Sequence, residues 1–361
     1  MTTIGVLGAS GTVGRVAVDR LASWDLGDLR LGGRDLDRAA EVGAQVPAAR
    51  TEPVRVDLND ADALRAFCAG CDVVVNCAGP SYLVLDTVAR AALAGGAHYV
   101  DAAGDAAAAD ALGQGPARRK AAVFSAGLMP GLSGLLPRLL AADGPPSRLD
   151  LYVGGAAAIG PLSAVDALLT RGPRFGTALA VWRSGAVLPN ALPPLRSVTL
   201  PGFRGRVHAW PFLSVEAARL AAGLGVEELR NYTVYVTEAI PRALAAAWAD
   251  DDANGDGDAP PERHVPAVVA AAEADLDATG PYYTMLFQAV HRDSTPGRPR
   301  RLVLHTPDSY ALSGVVAALT VRESLAGRIP AGVHFAADVL DAAETLALLS
   351  GDPLVTGVEL T

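Results

Sequence analysis

The first third of the chain alternates between short apolar runs and longer segments whose apolar residues recur every three or four positions. The apolar runs have the length of strands, and the periodic segments have the spacing of amphipathic helices. This alternation predicts a parallel sheet with right-handed helical crossovers, which binds ligands at the carboxyl ends of its strands. Strands are predicted near 3–7, 29–32, 53–56, 72–77, 98–101 and 121–125, and helices at 12–23, 35–45, 60–69, 82–95 and 106–113.

Between about residues 147 and 305 the pattern changes to short alternating runs, several of them separated by glycine and proline turns. Such runs are typical of antiparallel strands that bury one face. The last fifty residues are again mostly helical, with a long apolar helix over 309–325, another within 333–349 and a final strand within 353–360. The chain is therefore predicted to be α/β, with an α+β domain inserted before the C-terminal segment.

The first predicted strand runs into a glycine-rich turn, Gly8-Ala9-Ser10-Gly11-Thr12-Val13-Gly14, and a helix follows. This order is typical of a dinucleotide site: Gly8 makes the tight turn, Gly11 lets backbone approach a pyrophosphate, and Gly14 lets the helix pack on the strand. The helix N-terminus adds free N–H groups and a positive dipole end. The alternative is a glycine turn with a structural role only. The predicted cofactor-binding residues are Gly8, Ser10, Gly11, Thr12 and Val13.

The residues that end the second strand bear on the identity of the cofactor. An NAD site usually carries an acidic residue about twenty positions after the third glycine, where it binds the ribose 2′-hydroxyl. Here Gly33 and Arg34 occupy that position, and Arg38 follows one helical turn later. A guanidinium pairs with a 2′-phosphate, whereas a carboxylate would repel it. We therefore predict NADP rather than NAD, with Arg34 as a cofactor-binding residue; the alternative is a pair of solvated arginines.

Composition and charge argue against several other classes of function. The net charge is −9, and an acidic surface repels nucleic acid. No apolar run reaches the roughly 18 residues of a membrane span, and no signal peptide is recognisable, so we expect a cytoplasmic protein without membrane contact. Lys120 is the one lysine of the chain, which argues against lysine-based catalysis. No cysteine or histidine cluster has the spacing of a zinc site, so no metal is expected.

Four blocks and the C-terminal segment together carry a family resemblance. The blocks are the glycine turn 8–14, the strand end at Gly33-Arg34, Val73-Val74-Val75-Asn76-Cys77-Ala78-Gly79-Pro80 and His98-Tyr99-Val100-Asp101-Ala102-Ala103-Gly104-Asp105; the segment is 310–333. Together they resemble the saccharopine dehydrogenase-like family. The resemblance implies a Rossmann-type doubly wound parallel sheet to which the C-terminal segment returns. It also implies an inserted α+β domain, on a mostly antiparallel sheet, that carries substrate contacts and often a dimer interface.

This resemblance also supplies the expected domain map and activity. We place the NADP-binding domain at 1–128 plus 306–361 and the substrate-binding and dimerisation domain at 129–305, in a homodimer. The family implies NAD(P)-linked hydride transfer, commonly at a C–N bond, so we expect NADP(H)-dependent reduction of an imine in a small metabolite. The alternatives are a trans-acting enoyl (C=C) reductase and a non-catalytic nucleotide-binding subunit. The lysine-forming members rely on a lysine–histidine pair, for which this chain offers only Lys120.

Reduction of an imine needs a proton donor near the nitrogen that receives the proton. Asp101 and Tyr82 follow strand ends that should face the nicotinamide ring, so both are predicted as catalytic residues. The alternative roles are a turn cap for Asp101 and helix packing for Tyr82. Further candidates in the middle domain are Arg183, His208, Tyr232, Tyr282 and His291.

Overall fold

The computed structural model describes residues 2–170, 174–254, 261–292 and 299–361. The strands are β1 (Thr3–Leu7), β2 (Asp28–Gly33), β3 (Thr51–Arg55), β4 (Val73–Asn76), β5 (His98–Asp101), β6 (Ala121–Phe124), β7 (Arg148–Ala156), β8 (Gly176–Ala178), β9 (Val181–Arg183), β10 (Ala186–Leu188), β11 (Leu195–Val198), β12 (Val207–Ser214), β13 (Glu228–Tyr235), β14 (Tyr282–Val290), β15 (Arg300–Thr306), β16 (Gly332–Phe335) and β17 (Gly357–Leu360).

The α-helices are α1 (Thr12–Ser23), α2 (Leu36–Ala44), α3 (Ala61–Cys68), α4 (Ser81–Val84), α5 (Thr87–Ala94), α6 (Ala106–Leu112), α7 (Leu132–Leu135), α8 (Pro161–Leu169), α9 (Val215–Leu224), α10 (Ala239–Asn254), α11 (Val265–Thr279), α12 (Ser309–Leu325), α13 (Ala336–Val339) and α14 (Ala342–Ser350). Short 3₁₀ turns occupy Leu136–Ala141 and Pro261–His264.

The described residues form two compact units. The first unit consists of the described residues up to Leu135 together with Tyr310–Asp341. The second unit consists of the described residues of Leu136–Ser309 together with Ala342–Thr361. Most of the inserted segment predicted from the change of hydrophobic pattern therefore lies in the second unit, which also contains residues 342–361.

The first unit is built on a parallel sheet with the strand order β3-β2-β1-β4-β5-β6-β16. Each pair of neighbours in this order is parallel. The chain moves outward from β1 to β3 and then continues with β4 on the other side of β1. The order thus reverses between β1 and β4, and such a reversal leaves a crevice at the carboxyl ends of the two strands. The predicted Rossmann-type sheet is confirmed.

Two details of the first unit differ from the prediction. The helix predicted over 82–95 is two helices, α4 and α5, because Leu85 between them has a positive φ of 44° that a continuous helix does not accommodate. The segment 333–349 contains the predicted helix, α14, but it begins with a strand that was not predicted, β16. This strand pairs with β6 from Gly332–Ala121 to Phe335–Phe124, which extends the parallel sheet by one strand.

The second unit is built on a mostly antiparallel sheet. Its main path is β10-β9-β13-β7-β14-β15-β17, and β12 pairs with β13, β11 and β8 beside that path. Among the described pairs, β13 with β7 is the parallel exception. Tyr152 and Tyr232 face one another across this pair, with ring centroids 4.8 Å apart, in the core on one face of the sheet. This confirms the predicted α+β character of the inserted part.

The C-terminal residues 342–361 belong to the second unit, although they were predicted to belong to the first domain. The reason is strand pairing: β17 is antiparallel to β15, with Leu360 opposite Leu302 and Gly357 opposite His305. Helix α14 also packs against the 3₁₀ turn at Leu136–Ala141. The C-terminal segment therefore contributes α12, β16 and α13 to the first unit and ends in the second.

Helix α12 is the apolar helix predicted over 309–325, and most of its residues are buried in the first unit. It approaches α1 very closely at Gly314. A Cβ atom on Gly314 would lie 2.4 Å from the carbonyl oxygen of Val13 and 2.8 Å from the Cβ of Val16. Only glycine permits this contact, which joins the C-terminal segment to the helix that follows the glycine-rich turn.

Gly314→Ala is therefore expected to lower the free energy of unfolding by about 1–3 kcal/mol, because the added methyl group overpacks the contact between α12 and α1. Gly223→Ala is the matched control, since Gly223 also lies in a helix but has no atom within 4 Å of an added Cβ. The control should raise stability by about 0.5–1 kcal/mol through helix propensity. Urea unfolding monitored by circular dichroism measures both; equal effects would contradict the proposed close contact.

Candidate active site

The glycine-rich turn is held by two close backbone contacts at the carboxyl end of β1. Gly8 has a positive φ of 73°, and a Cβ atom there would lie 2.8 Å from the carbonyl oxygen of Cys77 and the nitrogen of Ala78. A Cβ atom on Gly14 would lie 2.2 Å from the carbonyl oxygen of Gly8. Gly8 and Gly14 are thus required by the turn itself and by the packing of α1 on β1.

Gly11 differs from these two glycines because space is open beside it. A Cβ atom on Gly11 would have one neighbour within 4 Å, the carbonyl oxygen of Gly8 at 3.4 Å. Gly11 is the N-cap of α1, and the first turn of this helix has neither a side-chain cap nor an acidic residue. Uncapped N–H groups at an exposed helix start are available to an anion. Ser10, Thr12 and Val13 adjoin Gly11 in this turn, and their roles stay predictions.

Arg15, which the sequence reasoning did not select, is attached to the same turn. Its Nε donates a hydrogen bond of 2.9 Å to the carbonyl oxygen of Ser10, and the residue is half-buried. A cation near a helix N-terminus is disfavoured by the helix dipole unless an anion is close by. The signal that could have identified Arg15 is therefore a basic residue in the first turn of α1.

Arg34 and Arg38 have different surroundings, although the sequence presented them together. Arg38 is ion-paired with Asp35 at 3.4 Å, and Asp35 also caps α2 by accepting a hydrogen bond from the Arg38 backbone nitrogen. Arg34 is exposed, and within the described residues its guanidinium has no hydrogen bond or ion pair. A Cβ atom on the preceding Gly33 would have its nearest neighbour at 3.9 Å, so the strand end is open.

Asp101 is buried at the carboxyl end of β5, where it is 2% exposed. Its Oδ1 accepts hydrogen bonds from the backbone nitrogens of Ala103 at 3.0 Å and Gly104 at 2.7 Å. Its Oδ2 accepts from Tyr99 Oη at 2.5 Å and Asn76 Nδ2 at 3.4 Å. Burial raises the pKa of Asp101, and these hydrogen bonds act in the opposite direction. Both oxygens are used within the protein, which favours the turn cap over the proton donor.

Tyr82 forms a pair with Asp105, a residue that the sequence reasoning did not single out for chemistry. The Tyr82 hydroxyl donates to Asp105 Oδ2 at 3.2 Å, and both side chains are half-buried. Asp105 Oδ1 accepts from the backbone nitrogen of Ala107 at 3.0 Å and thereby caps α6. Burial raises the pKa of Asp105, whereas the Ala107 and Tyr82 hydrogen bonds lower it. The pair lies beyond the carboxyl ends of β4 and β5.

The candidates of the second unit each have contacts of their own. Tyr232 is buried in the stack with Tyr152, and Tyr282 lies under the guanidinium of Arg204 at 4.8 Å. The other three contact backbone or acidic groups: His291 Nε2 is 2.9 Å from the oxygen of Leu140, Arg183 pairs with Glu228 at 2.7 Å, and His208 Nδ1 is 3.8 Å from Glu238.

No group of three or more metal-ligating side chains comes together in the described residues. Among their helices, none is both long enough and apolar enough to cross a bilayer.

The comparisons with known proteins identify the first unit. Residues 4–129 match the family described as the saccharopine dehydrogenase NADP binding domain. The whole chain is similar in structure to apo saccharopine dehydrogenase (L-Glu forming) from Saccharomyces cerevisiae, at 14% identity with 100% of both chains covered and a TM-score of 0.66. No curated protein matches the chain.

Shorter structural matches involve other dehydrogenases. Uronate dehydrogenase from Agrobacterium tumefaciens is 32% identical over 28% of this chain and 41% of that chain, with a TM-score of 0.23. A short-chain dehydrogenase/reductase from Veillonella parvula is 17% identical over 28% of this chain and 46% of that chain, with a TM-score of 0.25. Scores this low carry no argument about the present fold.

The parallel sheet, the glycine turn at its crevice and the matched domain define an NAD(P)-dependent oxidoreductase. Residues 4–129 thus form a saccharopine dehydrogenase NADP binding domain, and the whole chain shares the fold of saccharopine dehydrogenase. The predictions of family, enzyme class and NADP as cofactor are confirmed.

Gly11→Val is expected to abolish NADPH binding while the protein stays folded, because the new side chain occupies the open space where a pyrophosphate would approach. Gly14→Ala is the contrasting variant: its methyl group meets the Gly8 carbonyl, which should cost about 3 kcal/mol or more of stability. Calorimetric titration and thermal unfolding measure the two effects. Unchanged NADPH affinity in folded Gly11→Val would mean that the phosphates bind elsewhere.

Proposed function

We propose that this protein is an NADP(H)-dependent reductase that transfers hydride to the C=N bond of a small metabolite, and that it works as a cytoplasmic homodimer. The observation that carries the proposal is the Tyr82–Asp105 pair, an ionisable O–H group at the carboxyl edge of a dinucleotide-binding sheet. Reduction of an imine requires a hydride at carbon and a proton at nitrogen. The Tyr82–Asp105 pair at this edge is a group that can donate the proton.

The residues at the carboxyl ends of β1 and β2 fit NADP. The uncapped start of α1 and the open space at Gly11 suit a pyrophosphate, and the unpaired Arg34 suits a 2′-phosphate. In this assignment Gly8, Ser10, Gly11, Thr12 and Val13 form the phosphate turn. When bound there, NADPH would supply the hydride, and the phosphate turn and Arg34 would hold its phosphates.

Tyr82 is the proposed proton donor. Asp105 Oδ2 accepts the hydroxyl hydrogen bond and positions the phenol before substrate binds. With substrate bound, the hydroxyl gives this one proton to the imine nitrogen instead, and the phenolate that results takes a proton from water. Asp101 takes a different role from the one first expected: it is a positioning residue that connects the turn after β5 with Asn76 at the end of β4. Asp101 is buried and already accepts four hydrogen bonds, so it has little capacity to bind a substrate. We therefore assign the proton donor to Tyr82 alone.

Arg34→Ala is expected to weaken NADPH binding by about 1–3 kcal/mol and to leave NADH binding nearly unchanged, since only NADPH carries the 2′-phosphate. Arg38→Ala is the matched control, because Arg38 is an exposed arginine of the same segment that is already paired with Asp35. Fluorescence titration of both cofactors provides the measurement. Equal losses for NADPH and NADH would rule out the assignment of Arg34.

Tyr82→Phe is expected to reduce turnover of an imine substrate by about 100-fold or more with NADPH affinity intact, which is the usual range for loss of a general acid. The rate of NADPH oxidation with a panel of cyclic imines and enoyl thioesters measures this turnover. Turnover of enoyl substrates that does not depend on Tyr82 would instead favour C=C reduction, because that proton arrives at carbon. Full imine turnover in Tyr82→Phe would refute the proton donor.

A further inference from the structure

Arg55, the last residue of β3, lies beside the strand end that carries Arg34. Strands β2 and β3 are parallel, with Gly33 opposite Arg55. The pairing continues beyond the strand, because the backbone nitrogen of Val56 donates to the carbonyl oxygen of Gly33 at 2.9 Å. Neighbouring strands are about 4.8 Å apart, so the backbone of Arg55 lies about that far from Gly33, the residue before Arg34.

Arg55 also shares a face of the sheet with the start of α2. Alternation along β3 places Thr51 and Arg55 on one face and Glu52 on the other. Thr51 lies against α2, because a Cβ atom on Gly43 would be 2.7 Å from its hydroxyl oxygen. Glu52 pairs with Arg30 at 3.0 Å on the opposite face, so it does not neutralise Arg55.

The two arginines at this edge are unpaired, and the carboxylates next to them in sequence are engaged elsewhere. Arg34 and Arg55 are exposed, and neither has an ion pair or hydrogen bond within the part of the chain that the structure describes. Asp35 caps α2, and Asp57 accepts two hydrogen bonds from Asn59. Two unpaired arginines that start from adjacent strand ends concentrate positive charge at this edge, and an anion bound there would neutralise it. A phosphate is the group that this arrangement suits best.

We infer that Arg55 is a second specificity-determining residue, which binds the 2′-phosphate of NADP together with Arg34. The inference rests on the proposed NADP preference and adds Arg55 to the residues that produce it. Arg34 approaches from the loop after β2 and Arg55 from the end of β3, so the phosphate is held from two sides. Such a pair discriminates against NAD more strongly than one exposed arginine does, because each guanidinium contributes a charge-assisted hydrogen bond.

The test is calorimetric titration of the full-length chain and its variants with NADPH and NADH, and with 2′-phospho-AMP and AMP as fragment probes. Arg55→Gln is expected to raise the dissociation constants of NADPH and 2′-phospho-AMP by about 5- to 50-fold, and those of NADH and AMP by less than about twofold. Arg55→Lys should recover part of the loss, because it keeps the charge but not the planar fork.

Arg50→Gln is the matched control. Arg50 is an exposed arginine that precedes the other end of β3, with its guanidinium 3.8 Å from Asp28. Its replacement should leave all four affinities unchanged.

A selective loss of NADPH affinity in Arg34→Ala with no loss in Arg55→Gln would overturn the role of Arg55 and leave the proposed function intact. Equal loss for NADPH and NADH in Arg55→Gln would also overturn it. Equal affinity of the unaltered protein for both cofactors would refute the NADP preference itself.

Discussion

The backbone at Gly8 contacts two other segments so closely that neither contact admits a side chain. One contact is with Cys77 and Ala78 after β4, where an added Cβ atom would lie 2.8 Å away, and the other is with Gly14 in α1, whose Cβ atom would lie 2.2 Å from the Gly8 oxygen. The first fixes the loops after β1 and β4 against each other, and the second fixes the start of α1. The crevice between β1 and β4 therefore has its shape because these two glycines are present.

A buried polar network determines where the proposed proton donor lies. Asp101 accepts hydrogen bonds from Tyr99, Asn76 and the following turn, so that an otherwise costly buried carboxylate is fully satisfied. This turn leads directly to Asp105, which caps α6 and holds Tyr82. Both oxygens of Asp101, which the sequence suggested for chemistry, thus accept hydrogen bonds within the protein, and in the proposed function they position the Tyr82–Asp105 pair. Position along a strand is readable from sequence, whereas the direction of a carboxylate depends on contacts that form only in the fold.

Local pattern was sufficient for elements whose own residues carry a clear hydrophobic period. The six strands from β1 to β6 begin and end within two residues of their predicted bounds, and α12 matches its predicted range. The pattern predicted the final strand β17 but not its pairing with β15, and it did not predict β16, because the partners β15 and β6 lie outside the local segment and no local signal specifies either pairing. Arg15, Asp105 and Arg55 were missed for a related reason: each is a single charged residue whose significance comes from what surrounds it in space.

Amide hydrogen exchange of the full-length protein with and without saturating NADPH tests the central claim most directly, which is that the carboxyl edge between β1 and β4 is the cofactor site. Binding should slow exchange of the turn from Gly8 to Gly14, the residues after β2 and the loop from Cys77 to Tyr82, since these backbone groups lose access to water when the dinucleotide lies over them. Exchange that is unchanged in the Gly8–Gly14 turn while NADPH is demonstrably bound would contradict the account.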